Sequence, residues 1–250
     1  MDPLPPDEGQ PRFSAQEVQR FSEAFAGAVS GVPASQVPEV LCRACVDLLD
    51  ITGASISLVG DGDARALWWS SDERAGRLAE AQYTLGDGPC RTAMALAAPV
   101  LAADLTRGQD ARRWPVFAQQ AVALGVRALF SLPLGGSGLA IGSLDLYRDS
   151  PGPLSERDQS FAFPAADAIT TAVLALHAQE DEERGHTAGW LAAAESDHEE
   201  VHHATGMIMV HLGVGPDDAL ARLRAHAFSH GQSVTEAARD VIGGRIRFHE

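Results

Sequence analysis

The stretch HEEVHHATGMIMVHLG, from His198 to Gly213, opens with two histidines four residues apart and a glutamate beside the first. On a helix that spacing presents both imidazoles on one face, where they could hold zinc, and Glu199 could polarise a metal-bound water. A catalytic zinc also needs a third protein ligand and an open position. The extended form of the spacing would place glycine at 205 and histidine at 208, but the chain has Thr205 and Ile208. A distant carboxylate such as Glu236 remains compatible with the spacing. The stretch follows an acidic run and opens a segment of about fifty residues, too small to hold a peptide cleft. A zinc hydrolase built on His198, Glu199 and His202 therefore stands as the remote alternative. No catalytic residue, cofactor or metal is assigned.

The other reactive groups are cysteines. Three of them, Cys42, Cys45 and Cys90, do not make a disulfide framework. Cys42 and Cys45 form a C-x-x-C in mid-helix with Cys45 on the apolar stripe, which favours core packing over redox chemistry. Cys90 follows Gly-Asp-Gly-Pro at a helix start, where the helix dipole would favour its thiolate; a buried structural cysteine is the other reading.

The 250 residues carry a formal net charge of −15, and all nineteen basic residues are arginine. An acidic chain repels phosphate overall, so nucleic-acid contact needs a local patch. The first residues, MDPLPPDEGQPRF, are acidic and proline-rich; residues 1–12 are expected to be disordered and are unlike a secretory signal. No run of eighteen uncharged apolar residues occurs, so no membrane span and a cytoplasmic location are expected.

Helices are predicted over 14–30 and 36–50, then strands over ASISLVG and ARALWWS with DGD as the turn. LGDGPC is a tight turn feeding a helix with Pro89 at its first position. APVLAADL reads as a strand, RWPVFAQQAVALG as a helix, and VRALFSLPL-GGSG-LAIGSLDLYRD as a hairpin. Ser155 and Asp158 start a further helix towards His177, which Pro164 should kink or delay. This order implies an α+β domain over 13–178, including its preceding N-terminal helix. Residues 179–200 are densely acidic and read as a solvated helical linker, interrupted at Gly185 or Gly189.

The segment 201–250 reads as three short helices: Val201–Leu212 ending at Gly213, Pro216–His230 ending at Gly231, and Ser233–Ile242 opened by a Ser233/Glu236 capping box. It contains five arginines and five carboxylates, so it has no electrostatic footprint by itself. Arg222, His226 and Ser229 follow helical spacing and share a face, whereas Arg224 points elsewhere. His198, His202, His203, His211, His226 and His230 crowd this end and could titrate near neutrality.

The run VHHATGMIMVHLGVGPDDALARLRAHAFSHGQSVTEAARDVI resembles the ANTAR domain, through Ala204, Gly206, Met207 and Met209, then Asp218, Ala219, Leu223, Arg224 and Ala227, then Ala237, Ala238, Val241 and Ile242. The resemblance covers roughly residues 190–248 and implies a three-helix RNA-binding unit of transcription antitermination. Thr205 stands where many members carry lysine, which removes one charge. On this resemblance the RNA-binding candidates are Ala204, Thr205, Gly206, Arg222, Arg224, His226 and Arg239. Close helix packing accounts equally for Ala204 and Gly206, and solvation for any one arginine.

LGDGPCRTAMALAAPVLAADL, RWPVFAQQAVALGVRALFSLPL and LAIGSLDLYRDSPGPLSERD resemble a GAF domain, from about Val32 to Ala178. That implies a sensory module, an antiparallel sheet with flanking helices and a ligand pocket on one face. Trp68, Trp69, Cys90, Phe130, Leu144 and Tyr147 are the candidate lining residues; each fits a core equally well. No cyclic-nucleotide pattern is present, and the signal, a small molecule or a protein, is unnamed. The architecture implied is a GAF-like α+β domain, a helical linker and an ANTAR-like all-α bundle. The expected function is a signal-responsive antitermination regulator, not an enzyme, acting as a homodimer on an RNA hairpin near a terminator. The alternative is a sensory module whose bundle binds a protein.

Overall fold

The computed structural model describes residues 15–59, 65–136, 138–184 and 189–248. The N-terminal segment expected to be disordered (1–12) and the DGD turn lie outside these residues, as does Gly185. Five strands form one antiparallel sheet: β1 (Gly53–Val59), β2 (Arg65–Ser70), β3 (Val100–Ala102), β4 (Ala128–Gly136) and β5 (Leu139–Arg148), in the order β2-β1-β5-β4-β3. The β4–β5 hairpin is the expected one, and its register sets Leu132 opposite Leu144 and Leu129 opposite Tyr147.

Alternation along the strands sends two different side-chain sets to the two faces. Ala54, Ile56, Leu58, Phe130, Leu132, Leu144 and Leu146 face a layer of three helices: α1 (Ala15–Ala28), α2 (Val37–Leu48) and α7 (Glu156–Arg184). The opposite face carries Leu129 and Tyr147 and is covered by α3 (Glu73–Leu85), α4 (Pro89–Leu96), α5 (Gly108–Arg113) and α6 (Pro115–Ala123).

Helix α7 runs unbroken past Pro164. Its start is fixed at Ser155, whose hydroxyl accepts the Asp158 N–H at 3.0 Å. Burial of Ala165, Ala166 and Ile169 in the core then carries it through the proline. The expectation of a delayed start is corrected by that cap. By length and hydropathy its segment Glu156–Leu176 would suffice to cross a membrane, but Phe161, Ala165, Ile169 and Val173 lie against the sheet domain's core.

Helix α8 (Gly189–Leu212) is continuous across the expected boundary at Val201, because the alanines and carboxylates before it are good helix formers. It packs with α9 (Pro216–Ser229) and α10 (Val234–Ile242) around Val201, Ala204, Ile208, Ala219, Leu223, Ala227, Val234, Ala237, Ala238 and Val241. The Ser233/Glu236 capping box is present in full.

Candidate functional site

The face of the sheet under α3 and α4 is polar where a core would be apolar. Ser55, Ser57, Ser131, Ser143 and Asp145 are all buried there. The register puts Ser55 and Ser131 on either side of Asp145, and Ser57 beside Ser143. Gln82 of α3 donates to Asp145 Oδ2 at 2.8 Å and accepts the Cys90 N–H at 2.8 Å. Cys90 Sγ lies 3.2 Å from Ser143 Oγ. Ser131 Oγ is buried with no hydrogen-bond partner among the described residues. Buried polar groups cost stability unless satisfied, so such a cluster is retained for something other than packing. Gly88, at φ +139°, makes the approach of α4 possible: a Cβ there would stand 2.7 Å from Gln82 Cγ.

The six residues expected to line one pocket do not share a face. Phe130 and Leu144 are fully buried towards α2 and α7, and Trp68 and Trp69 pack half-buried against that same cluster. Cys90 and Tyr147 lie on the other side. Strand alternation separates Phe130 from Leu129 and Leu144 from Asp145, which the apolar character of the residues alone does not reveal. Tyr147 donates to Asp72 Oδ1 at 2.9 Å, and burial together with Asp72 pushes its phenol upward. The serines and Asp145 were the missed signal: S-I-S-L, F-S-L and S-L-D-L place polar residues at alternate positions of otherwise apolar strands.

The C-x-x-C is core, as expected. Burial pushes Cys45 up to about 12 and raises Cys42, with Cys45 adding to the latter. Both thiols are thereby favoured in the protonated form. Cys90 is also buried, so its helix-start position does not present an accessible thiol.

In the bundle, Ala204 and Thr205 point inward. Ala204 is fully buried, and the Thr205 hydroxyl donates back to Val201 O at 2.7 Å. Both side chains are thus taken up in packing within the bundle. Gly206 differs: it is half-buried, and nothing lies within 4 Å of where a Cβ would be. Arg222 is exposed, and among the described residues it enters no ion pair. Arg239 is held by Glu200 at 2.6 Å, and Arg245 by Asp240 at 2.6 Å. His226 stacks on His230 with ring centres 4.0 Å apart, and Phe248 meets its edge. Burial and His230 hold the His226 imidazole below its ordinary range, against a weaker opposing pull from Asp240.

Arg224 faces the other domain. Its guanidinium stands 5.7 Å from the centre of the Tyr83 ring, and Tyr83 itself is part of the bundle's buried core. Burial raises the Tyr83 phenol to about 12, partly offset by Arg224. Thr84 Oγ1 accepts the Val234 N–H at 3.1 Å. Helix α8 also contacts β2, one of the sheet's two edge strands. Between the domains is a cleft of about 390 Å³, walled by Arg77, Glu80 and Gln120 on one side and Phe228, Gln232 and Ser233 on the other.

Among the described residues no three metal-ligating side chains converge. Glu199 and His202 are exposed on α8, and the His198 side chain lies outside the described set.

A five-stranded antiparallel sheet lies between two helical layers and is followed by a three-helix bundle. The GAF domain profile matches residues 34–174, more than half of the chain, and the chain belongs to the GAF domain family. Residues 191–242 match the ANTAR domain. The fold is similar to that of the GAF domain of a phosphoenolpyruvate-protein phosphotransferase from Coxiella burnetii. There the identity is 14%, the TM-score 0.52, and the match covers 67% of this chain and 99% of that one. A domain of a two-component sensor histidine kinase protein from Sinorhizobium meliloti matches at 19% identity and TM-score 0.50, covering 62% of this chain and all of the other. No curated protein matches the chain. GAF domains are sensory modules, and ANTAR domains are RNA-binding antitermination modules. The chain thus carries the domains of a signal-transduction regulator.

Proposed function

We propose that the protein is a signal-responsive antitermination regulator. In this reading the GAF domain receives a small-molecule or protein signal, and the bundle binds an RNA hairpin near a terminator. The observation that carries the reading is the ANTAR match over 191–242, on a bundle whose three helices and capping box agree with it. The signal would act at the buried Gln82–Cys90–Ser143–Asp145 cluster. RNA would be held by residues among Arg222, Arg224, His226 and Arg239, of which Arg222 and His226 share one face of α9, and Gly206 marks a place where a partner's backbone can approach. The regulator would work in the cytoplasm as a homodimer. Phe163 and Leu174, exposed on α7 at 40% and 52%, are available to a second copy.

The test is binding of the purified protein to a panel of tandem-hairpin RNAs at several salt concentrations, beside an Arg222→Ala/Arg224→Ala variant. Specific binding that weakens in the variant supports the reading. The log–log salt slope, about 0.7 per phosphate for single strands, counts the contacts. A second reading, a bundle that binds protein, is favoured by the pairing of Arg239 and Arg245 with carboxylates. Failure of the full chain and of the Tyr83→Ala/Thr84→Val variant to bind any RNA of the panel would count against the RNA reading and favour this one.

A further inference from the structure

The C-terminal end of α3 touches both the sensory cluster and the output bundle. Gln82 points to the sheet, where it joins Asp145 to the Cys90 backbone. The next two residues point away from it. Tyr83 completes the bundle's core among Val201, Leu223 and Val234. Thr84 supplies an acceptor to the first N–H of α10.

That N–H is one of the donors a helix start leaves without an intrahelical partner. Ser233 satisfies the Glu236 N–H from within the bundle, so the acceptor for Val234 comes from the other domain. Gly86 closes α3 in the left-handed conformation at φ +66°, and a Cβ there would stand 2.8 Å from Arg224 Nη1. Arg224 is therefore seated closely against the helix end while its guanidinium lies over Tyr83.

We infer that Tyr83, Thr84 and Gly86 form an autoinhibitory latch: they hold the bundle on the sensory domain with Arg224 turned inward, and RNA and α3 compete for the face of α9 that carries Arg224. This rests on the RNA-binding reading given above. The last turn of α3 carries both the buried Tyr83 ring and the acceptor for the Val234 N–H, so a displacement of that turn loosens both. Gln82 provides the displacement. A signal that takes over its contacts to Asp145 or Cys90 shifts the helix turn that also bears Tyr83 and Thr84. Such coupling needs only two arrangements of one element whose balance both sites bias.

The experiment uses the full chain in three forms: unaltered, Tyr83→Ala/Thr84→Val, and that double variant with Arg224→Ala added. Amide hydrogen exchange is followed over 83–86 and 224–234, and affinity is measured for a synthetic RNA of two stem-loops at one salt concentration. The expected result is faster exchange at Val234 in the double variant with the sheet unchanged. RNA affinity rises about tenfold, within the usual range of allosteric coupling, and falls back when Arg224 is removed. Should the double variant fail to fold, Thr84→Val alone gives the same pattern with a smaller rise. Equal RNA affinity in the unaltered and double-variant chains overturns the latch and leaves RNA binding standing. RNA binding by neither chain overturns the RNA reading, and the competition with it. A Val234 amide already unprotected in the unaltered chain overturns the latch whatever the RNA result.

Discussion

Gln82 Nε2 and Asp145 Oδ2 are joined by a buried hydrogen bond of 2.8 Å that ties α3 to the central strand β5. The same side chain accepts the Cys90 N–H, so one amide serves a carboxylate and the first turn of α4 together. Gln82→Leu keeps the approximate volume but removes a donor from Asp145 and the acceptor of the Cys90 N–H in a low-dielectric setting. The expected loss is about 2–3 kcal/mol of unfolding free energy, since stranding a buried polar group costs its desolvation. Urea unfolding followed by far-UV circular dichroism measures it. An unchanged midpoint with an unchanged slope would mean that the cluster is wetter than its burial indicates.

Asp72 fixes the other end of α3. Its Oδ1 accepts the Arg74 and Ala75 N–H groups at 2.9 and 3.1 Å and the Tyr147 hydroxyl at 2.9 Å. Asp72→Ala removes the cap and the phenol's acceptor, and is expected to cost about 1–2 kcal/mol. Tyr147→Phe removes only the phenol's bond, and should cost about 1 kcal/mol or less because Asp72 retains its other donors. Thermal unfolding of the two variants side by side checks the ranking; equal losses would show that the cap itself contributes little.

Helix α3 also marks where sequence reading stopped. ERAGRLAEAQYTL has its buried positions at Ala75, Leu78, Gln82, Tyr83 and Thr84, and the last three include two polar residues, so no apolar stripe announces a helix. The polar positions are buried because they serve the sheet cluster and the bundle, and neither is visible without the fold. The β4–β5 hairpin and the α10 capping box were legible because glycines, alternation and the Ser-x-x-Glu spacing are local signals. The division of Phe130 and Leu144 from Cys90 and Tyr147 was not, because it depends on which face each strand turns to which helices. Likewise nothing local says that Arg224 meets Tyr83, a contact across more than a hundred residues of chain.

Gly206 sits inside α8 with open space at its Cβ position. Glycine in a helix interior is less stable than alanine by about 0.5–1 kcal/mol, and no contact in this chain requires it. Gly206→Ala is therefore expected to stabilise the bundle by about that amount. If RNA or a second copy approaches the helix backbone there, the same substitution weakens that association while the chain becomes more stable. Opposite signs in the two measurements, unfolding midpoint and RNA affinity, identify a contact site. A gain in stability with affinity unchanged would assign Gly206 no role in binding.

His226 supplies a pH dependence whose sign follows from its surroundings. Burial and the stacked His230 hold its pKa below the ordinary 6.5, while Asp240 pulls weakly the other way. The folded chain thus favours the neutral imidazole. As pH falls, the unfolded chain takes up this proton first, so the stabilisation is complete above 6.5 and is lost as pH falls through the lower folded value. His226→Gln should flatten this part of the stability profile without altering the neutral-pH plateau by more than the lost ring packing against Phe248. Imidazole proton NMR gives the His226 pKa directly, and urea midpoints on either side of it give the linkage. A His226 that titrates above 6.5 would reverse the sign, placing the ring under the control of Asp240 instead of burial.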